Sequence, residues 1–227
     1  MTIDSVSFIK RLVAAREQSG DPAATVFEHY LRWKGPPQHL VRQPPPADAP
    51  PETLPVSPWF SVLTYRQNPL YQTYCTLGAS YRPIPHSAAG IGDARGVRHE
   101  YLIHAPDAHE AAICELLLLV GEYPQLHGRE IGVGFVVPIG EPVVAGSGIE
   151  YLYCSLPFLD DQRLYQADAF SRIDRPEVLI QMVWLVPIYR SEYLHLRTIG
   201  SIAFEEWLFE HHRQRYDAYE FDRLPLI

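Results

Sequence analysis

The chain has 227 residues, of which 47% are hydrophobic, 20% charged and 12% aromatic. A folded chain of this size buries roughly 70% of the surface its unfolded form exposes, so a core forms without disulfides or metal; disordered, coiled-coil and collagen-like classes are excluded. Nineteen Lys and Arg against 27 Asp and Glu leave a net charge of −8, which argues against non-specific binding to nucleic acid or anionic lipid and favours a basic partner.

The first helix is expected over Asp4–Gln18, with Val6, Ile9, Leu12 and Val13 at helical spacing. Lys10, Arg11 and Arg16 fall where a secretory signal would be apolar. A second helix opens at Asp21-Pro22, a cap followed by proline at the first helical position, and stops at Gly35. Together they predict an N-terminal helical hairpin, residues 1–35, packed on the main body. Nine of the 21 prolines lie between Pro36 and Pro58. Residues 36–58 therefore read as a stiff, extended connector, and residues 59–227 as the main domain.

After the connector the pattern turns to strands. Trp59–Arg66 and Tyr71–Tyr81 are aromatic and β-branched, separated by Gln67-Asn68-Pro69, and Gly78-Ala79-Ser80 interrupts the second. Val97–Ala105 follows, with Val97, His99, Tyr101 and Ile103 on one face. Asp107 opens a central helix with Glu110 as capping-box partner; Ile113, Leu116, Leu117 and Val120 bury one side, and Gly121 and Pro124 end it. Further strands are expected around Gly132–Val137, Ile149–Leu156 and Val178–Ile188. The last is nearly continuous in apolar residues, the pattern of a strand buried on both faces. Ser191 and Ser201 are placed to cap two closing helices, Glu192–Ile199 and Ile202–Tyr216. The fold class is α+β: a mixed sheet packed by the central and C-terminal helices.

No apolar stretch reaches the roughly 18 residues of a membrane span. Three scattered cysteines (Cys75, Cys114 and Cys154) make neither a disulfide framework nor a metal knuckle, and a reducing cytoplasm is the expected setting. Metal ligation is not supported: His99 and His104 point to opposite faces of one strand, and His211 and His212 diverge by about 100° on a helix. Ser147 lacks the glycines of a nucleophile elbow, which would fall at Ala145 and Ile149. Gly132-Val-Gly134 and Gly90-Ile-Gly92 complete no phosphate loop. Cys75 and Cys154 read as small buried hydrophobes, and the pairs Glu205-Glu206 and Asp160-Asp161 as solvated charge. No assembled catalytic site is legible, and neither a cofactor nor a metal is expected.

Five segments, read in order, carry a resemblance: YCTLGAS (Tyr74–Ser80), HEYLIHAP (His99–Pro106), ICELLLLVGEYPQLHGREIGVG (Ile113–Gly134), GSGIEYLYCSLP (Gly146–Pro157) and VWLVPIYRSEY (Val183–Tyr193). The succession resembles the suppressor-of-fused domain over about Trp59–Leu208. The resemblance implies a non-enzymatic, protein-binding α+β domain. In animals the family restrains a transcription factor in the cytoplasm; short bacterial relatives, which this chain looks like, are grouped with immunity proteins that neutralise polymorphic toxins. On this resemblance, no counterpart of the second lobe with which the animal protein grips its partner is expected. A regulatory interaction module with a non-toxin partner is the alternative, and a His- or Cys-dependent hydrolase the remote one. In the family the turn after the central helix contacts the partner, which here implies Tyr123, His127, Arg129 and Glu130. Tyr123 matches the family's aromatic, whereas Arg129 and Glu130 replace a Gly-Asp pairing. The acidic turn Asp160-Asp161 is the further contact expected for a basic partner.

Overall fold

The computed structural model of the chain describes residues 8, 11, 12, 14, 21–42, 50, 53–66, 71–84, 95–157, 167–215, 221 and 223–227. In chain order the elements are α1 (Ala23–Lys34), β1 (His39–Arg42), β2 (Ser61–Arg66), β3 (Gln72–Leu77), β4 (Val97–Ala105), α2 (Glu110–His127), β5 (Val136–Pro138), β6 (Ile149–Ser155), α3 (Ala167–Ser171), β7 (Arg172–Arg175), β8 (Val178–Tyr189), α4 (Arg190–Ile199) and α5 (Ser201–Arg215). The strands make one mixed eight-stranded sheet in the order β1-β2-β3-β4-β8-β6-β5, with β7 also paired to β8. Every pairing is antiparallel except β4 with β8. The α+β expectation holds, with helices on both faces of the sheet.

The sheet's two faces follow from alternation along β4 and β8. Tyr101, Ile103, Val183 and Leu185 turn toward α2 and pack with Ile113, Leu117 and Val120. Leu102, Met182, Trp184 and Val186 turn the other way, against Phe27 and Tyr30 of α1, Leu196 of α4 and Phe204 of α5. β8 is thus buried on both faces and hydrogen-bonded along both edges, as its apolar run implies.

α1 is stitched into this core. The Asp21 carboxylate accepts the Ala23 N–H at 2.9 Å and the Ser57 hydroxyl at 2.5 Å, and the Tyr30 hydroxyl donates to the Thr76 carbonyl at 3.1 Å. Phe8 and Leu12 are buried, with the Phe8 ring edge-on to Phe27 and Trp59. The remainder of the expected first helix, and with it the hairpin as such, lies outside the described residues. The stretch expected as a connector holds a strand: His39–Arg42 contains no proline, retains its backbone donors, and pairs with β2.

Three expectations about helix ends are corrected. Asp107 does not cap α2; it lies in a 3-10 turn, Asp107–His109, and pairs with Arg66 instead. Gly121 and Pro124 do not end α2, which runs on to His127 and stops at Gly128, in the left-handed region at φ 61°. Gly121 is buried against Phe60, where a Cβ would come within 2.5 Å of the ring, so its missing side chain is a packing requirement. Pro124 leaves one carbonyl of the preceding turn without its usual donor, yet it is buried, and the next residue, Gln125, donates to the Arg82 and Pro83 carbonyls. Tertiary packing outweighs the two helix breakers. Ser191 does not cap α4 either: its hydroxyl donates to the Ile227 carbonyl, and Glu192 accepts the Tyr189 N–H at 2.9 Å. β7 and α3 have no counterpart among the expected elements.

The C-terminal tail is held by one buried ion pair. Arg223 Nη1 and Nη2 each donate to Glu192 at 2.6 Å, both side chains being fully buried. Nη2 also donates to the Pro187 carbonyl of β8, and the Leu226 N–H donates to Glu192.

Val183 lies in the middle of β8 and is fully buried. Val183→Asp places an unpaired charge there and is expected to cost about 3–5 kcal/mol in urea unfolding; a variant that melts like the parent contradicts the interior placement. Glu192→Gln leaves a buried guanidinium without its charge partner and is expected to cost a similar amount, about 3–5 kcal/mol. Chemical denaturation with both intrinsic fluorescence and circular dichroism checks both.

Candidate functional site

α2 ends at the rim of the sheet, and its last turn builds one wall of a cleft. Tyr123 is 36% exposed, and its ring lies 4.4 Å from that of His127, one turn further on. Gly128 then reverses the chain so that exposed Arg129 is followed by Glu130 and by buried Ile131, which anchors the turn in the core. Phe135, 48% exposed, and the edge strand β5 form the facing wall. The cleft between them has a volume of about 520 Å³, and Tyr123, Arg129, Glu130 and Ile131 line it with Phe135 and β5.

Behind the cleft, the turn rests on β4. The His99 Nδ1–H donates to the Ile131 carbonyl at 3.0 Å, which assigns the tautomer, because a carbonyl only accepts. The His99 Nε2 lone pair then faces Glu130 Oε1 at 3.7 Å, too far for a hydrogen bond. Nε2 is buried and has no hydrogen-bond partner among the described residues. Burial pushes the imidazole down to about 4, opposed by the bond to Ile131. A Cβ on Gly132 would come within 2.8 Å of Glu130 Oε1 and 3.1 Å of His99 Cε1, so a side chain there would displace the Glu130 carboxylate from its place over the imidazole.

Of the residues singled out from sequence, Tyr123, Arg129 and Glu130 converge on one cleft, with His127 against Tyr123. Asp160 and Asp161 lie outside the described residues. The sequence signals only a strand around Gly132–Val137 here, not the wall that Phe135 and β5 make or the place of His99 behind Glu130. Leu116, Leu117 and Val120 are buried beneath the cleft-bearing helix.

Among the described residues, the cysteines, Ser147 and the histidines weighed as metal ligands are buried or hydrogen-bonded within the fold. Cys75, Cys114 and Cys154 are buried, and burial pushes the Cys75 and Cys114 thiols up to about 12 and the Cys154 thiol higher still. The Ser147 hydroxyl donates to the Phe221 carbonyl. His104 bonds Thr73 on the face opposite His99, and His211 bonds the Trp207 carbonyl; the His212 side chain is outside the described set. Glu205 is a correction. It is half-buried, accepting the Tyr153 hydroxyl at 3.1 Å and the Ser155 hydroxyl at 2.8 Å, whereas Glu206 is exposed. Among the described residues no group of three or more His, Cys, Asp or Glu side chains is arranged to hold a metal ion, and no helix is long and apolar enough to cross a membrane.

The family model of the suppressor of fused protein matches residues 58–218. No curated protein matches the sequence. Three solved structures share the fold. A protein from Neisseria gonorrhoeae FA 1090, described as a SUFU homologue, is 19% identical with a TM-score of 0.58, the alignment covering 89% of this chain and 95% of that one. A chain of the Sufu–Fu complex is 14% identical with a TM-score of 0.63, covering 90% and 91%. Drosophila Suppressor of Fused is 13% identical with a TM-score of 0.61; 90% of this chain aligns with 50% of that protein.

The buried imidazole gives a pH signature. Its folded-state pKa of about 4 lies below the ordinary 6.5, so between these values the unfolded chain binds the additional proton. Its contribution is whole above about pH 6.5 and is lost as pH falls toward about 4. Unfolding titrations at pH 7 and pH 4.5 should show a pH-dependent loss that is smaller in His99→Gln by about 1–3 kcal/mol. An identical pH dependence in the two proteins contradicts a neutral, buried His99.

Proposed function

Because the chain belongs to the suppressor-of-fused family, we propose that it is a non-enzymatic protein-binding module, and specifically an immunity protein that binds and neutralises a cognate toxin. The observation that carries the protein-binding reading is the cleft between the end of α2 and the β5 edge. There an exposed tyrosine and an exposed phenylalanine stand beside Arg129 and Glu130, over a base anchored in the core. Exposed aromatics on rigid elements supply contact area at low conformational cost, and flanking charges set orientation and encounter rate. β5 beside the cleft is an edge strand among the described residues, and an extended partner segment can bond along such an edge. That a protein of this fold was crystallised as the Sufu–Fu complex supports reading the fold as a platform for a protein partner.

The toxin reading adds the charge. At −8 the chain complements a basic, nuclease-like toxin, whose approach such a surface accelerates and whose nucleic-acid-binding face it occupies. Asp160 and Asp161 belong to this proposal as further contacts for a basic surface.

Tyr123→Ala is expected to weaken partner binding by more than about 1 kcal/mol, roughly fivefold, with little change in thermal stability. His127→Ala should have a smaller effect in the same direction, by releasing the tyrosine ring. The assay is titration with the product of the adjacent gene, followed by co-expression to test rescue from toxicity. Unchanged affinity in folded Tyr123→Ala and Arg129→Ala/Glu130→Ala variants moves the contact elsewhere. A partner that binds through the cleft but is harmless when expressed alone overturns the immunity role and leaves the protein-binding one.

A further inference from the structure

A second cleft, of about 640 Å³, opens on the opposite face of the sheet, between α1 and the β7 strand. Its volume lies within the roughly 300–1,000 Å³ of small-molecule sites. Its charge is out of keeping with an acidic chain: Arg32, Arg172 and Arg175 line it against Glu28 and Asp174. Asp174 is already held between Arg95 at 2.7 Å and Arg172 at 2.8 Å. Arg32 and Arg175 are exposed, and neither is ion-paired among the described residues. Lys34 adjoins them, with its ammonium 4.7 Å from the Phe170 ring on which His29 stacks.

The cleft's walls are tied to the core at several points. His29 bonds the Phe170 carbonyl at 2.9 Å, Ile173 and Thr25 are buried, and Trp33 adds a half-buried indole. Burial is the main cause holding His29 below its ordinary range, and Arg32, Arg175 and Lys34 push it in the same direction. Of these three cations, Arg32 and Arg175 line the cleft with His29. Guanidinium groups match tetrahedral oxyanions with paired, charge-assisted hydrogen bonds, and two that no described carboxylate pairs, Arg32 (over the Trp33 ring) and Arg175, line the hollow and select such a group.

We propose that this cleft binds the phosphate group of a small phosphorylated ligand, held by Arg32 and Arg175. The site is separate from the partner cleft: one is lined by α1 and β7, the other by the end of α2 and by β5. It stands or falls independently of the partner reading.

The test is calorimetric titration of the whole chain with pyrophosphate and with ADP at low salt, repeated on Arg32→Gln/Arg175→Gln. Saturable binding in the millimolar range or tighter is expected, weakened at least about tenfold in the double variant and weakened again by added salt. Circular dichroism and the melting temperature verify that the double variant remains folded, both substitutions being at exposed positions. No saturable binding by the parent overturns the proposal. So does binding that survives intact in the folded double variant, which would place the anion elsewhere. A glutamate-rich peptide that binds where pyrophosphate and ADP do not overturns it in favour of an acidic protein surface.

Discussion

The structure depends on a single constraint: β8 must be dry on both faces and hydrogen-bonded along both edges. Its apolar residues alternate between two cores, with Val183 and Leu185 in one and Met182, Trp184 and Val186 in the other. Each core therefore needs a covering layer. α2 supplies the first, and α1, α4 and α5 supply the second. The backbone imposes the remaining demand, because an interior strand without a ladder on each side would leave its polar groups unpaired. β4 meets it on one side, and β7 followed by β6 on the other. Where β8 ends, Glu192 and Arg223 continue the same logic with charge. A fully buried carboxylate is tolerable because a guanidinium and two backbone N–H groups converge on it.

How much of this was legible in the sequence depends on whether a residue's role is local. β8, the alternation along β4 and the buried side of α2 were readable because period and apolarity decide them. Gly121 and Pro124 misled because a helix breaker is judged against an isolated helix, whereas here Phe60 occupies the space that a Cβ would need. β7 escaped notice because Arg-Ile-Asp-Arg buries only Ile173, too short a pattern for periodicity to detect. Glu205 looked like surface charge because its partners, Tyr153 and Ser155, stand about fifty residues away. The Glu192–Arg223 pair escaped for the same reason, at a separation of 31 residues. In the α2–β5 cleft, the aromatic and charged turn was visible from its resemblance to a family and a strand was expected around Gly132–Val137, whereas the position of β5 at the sheet edge was not legible, since it is set by pairing with β6 alone.

Net charge is likewise a poor guide to any one surface. At −8 the chain as a whole repels anions, yet the α1–β7 cleft is lined by three arginines against two carboxylates, and Asp174 pairs with Arg172 while Arg32 and Arg175 have no ion pair among the described residues. Screening makes these views compatible: beyond roughly 8–10 Å at physiological salt the surplus acidity is damped, so a local cluster decides what binds locally. A face that attracts a basic protein and a cleft that holds an anion can thus coexist on one small domain.

The partner cleft owes its shape to what lies under it. The turn from Gly128 to Gly132 has few residues with which to hold itself, but Ile131 is buried and its carbonyl is tied to His99 on the central part of the sheet. Gly132 lets Glu130 close down over the imidazole, leaving the carboxylate at the cleft wall. The tie runs through a neutral ring, since protonating His99 would require charging a buried group. A surface loop anchored to an interior strand in this way has little freedom left to lose on binding, which is the sense in which the proposed contact through Tyr123 and Phe135 is preorganised. The same buried strand pair that stabilises the fold therefore also anchors the turn beside β5, an edge strand of the sheet formed by the described residues.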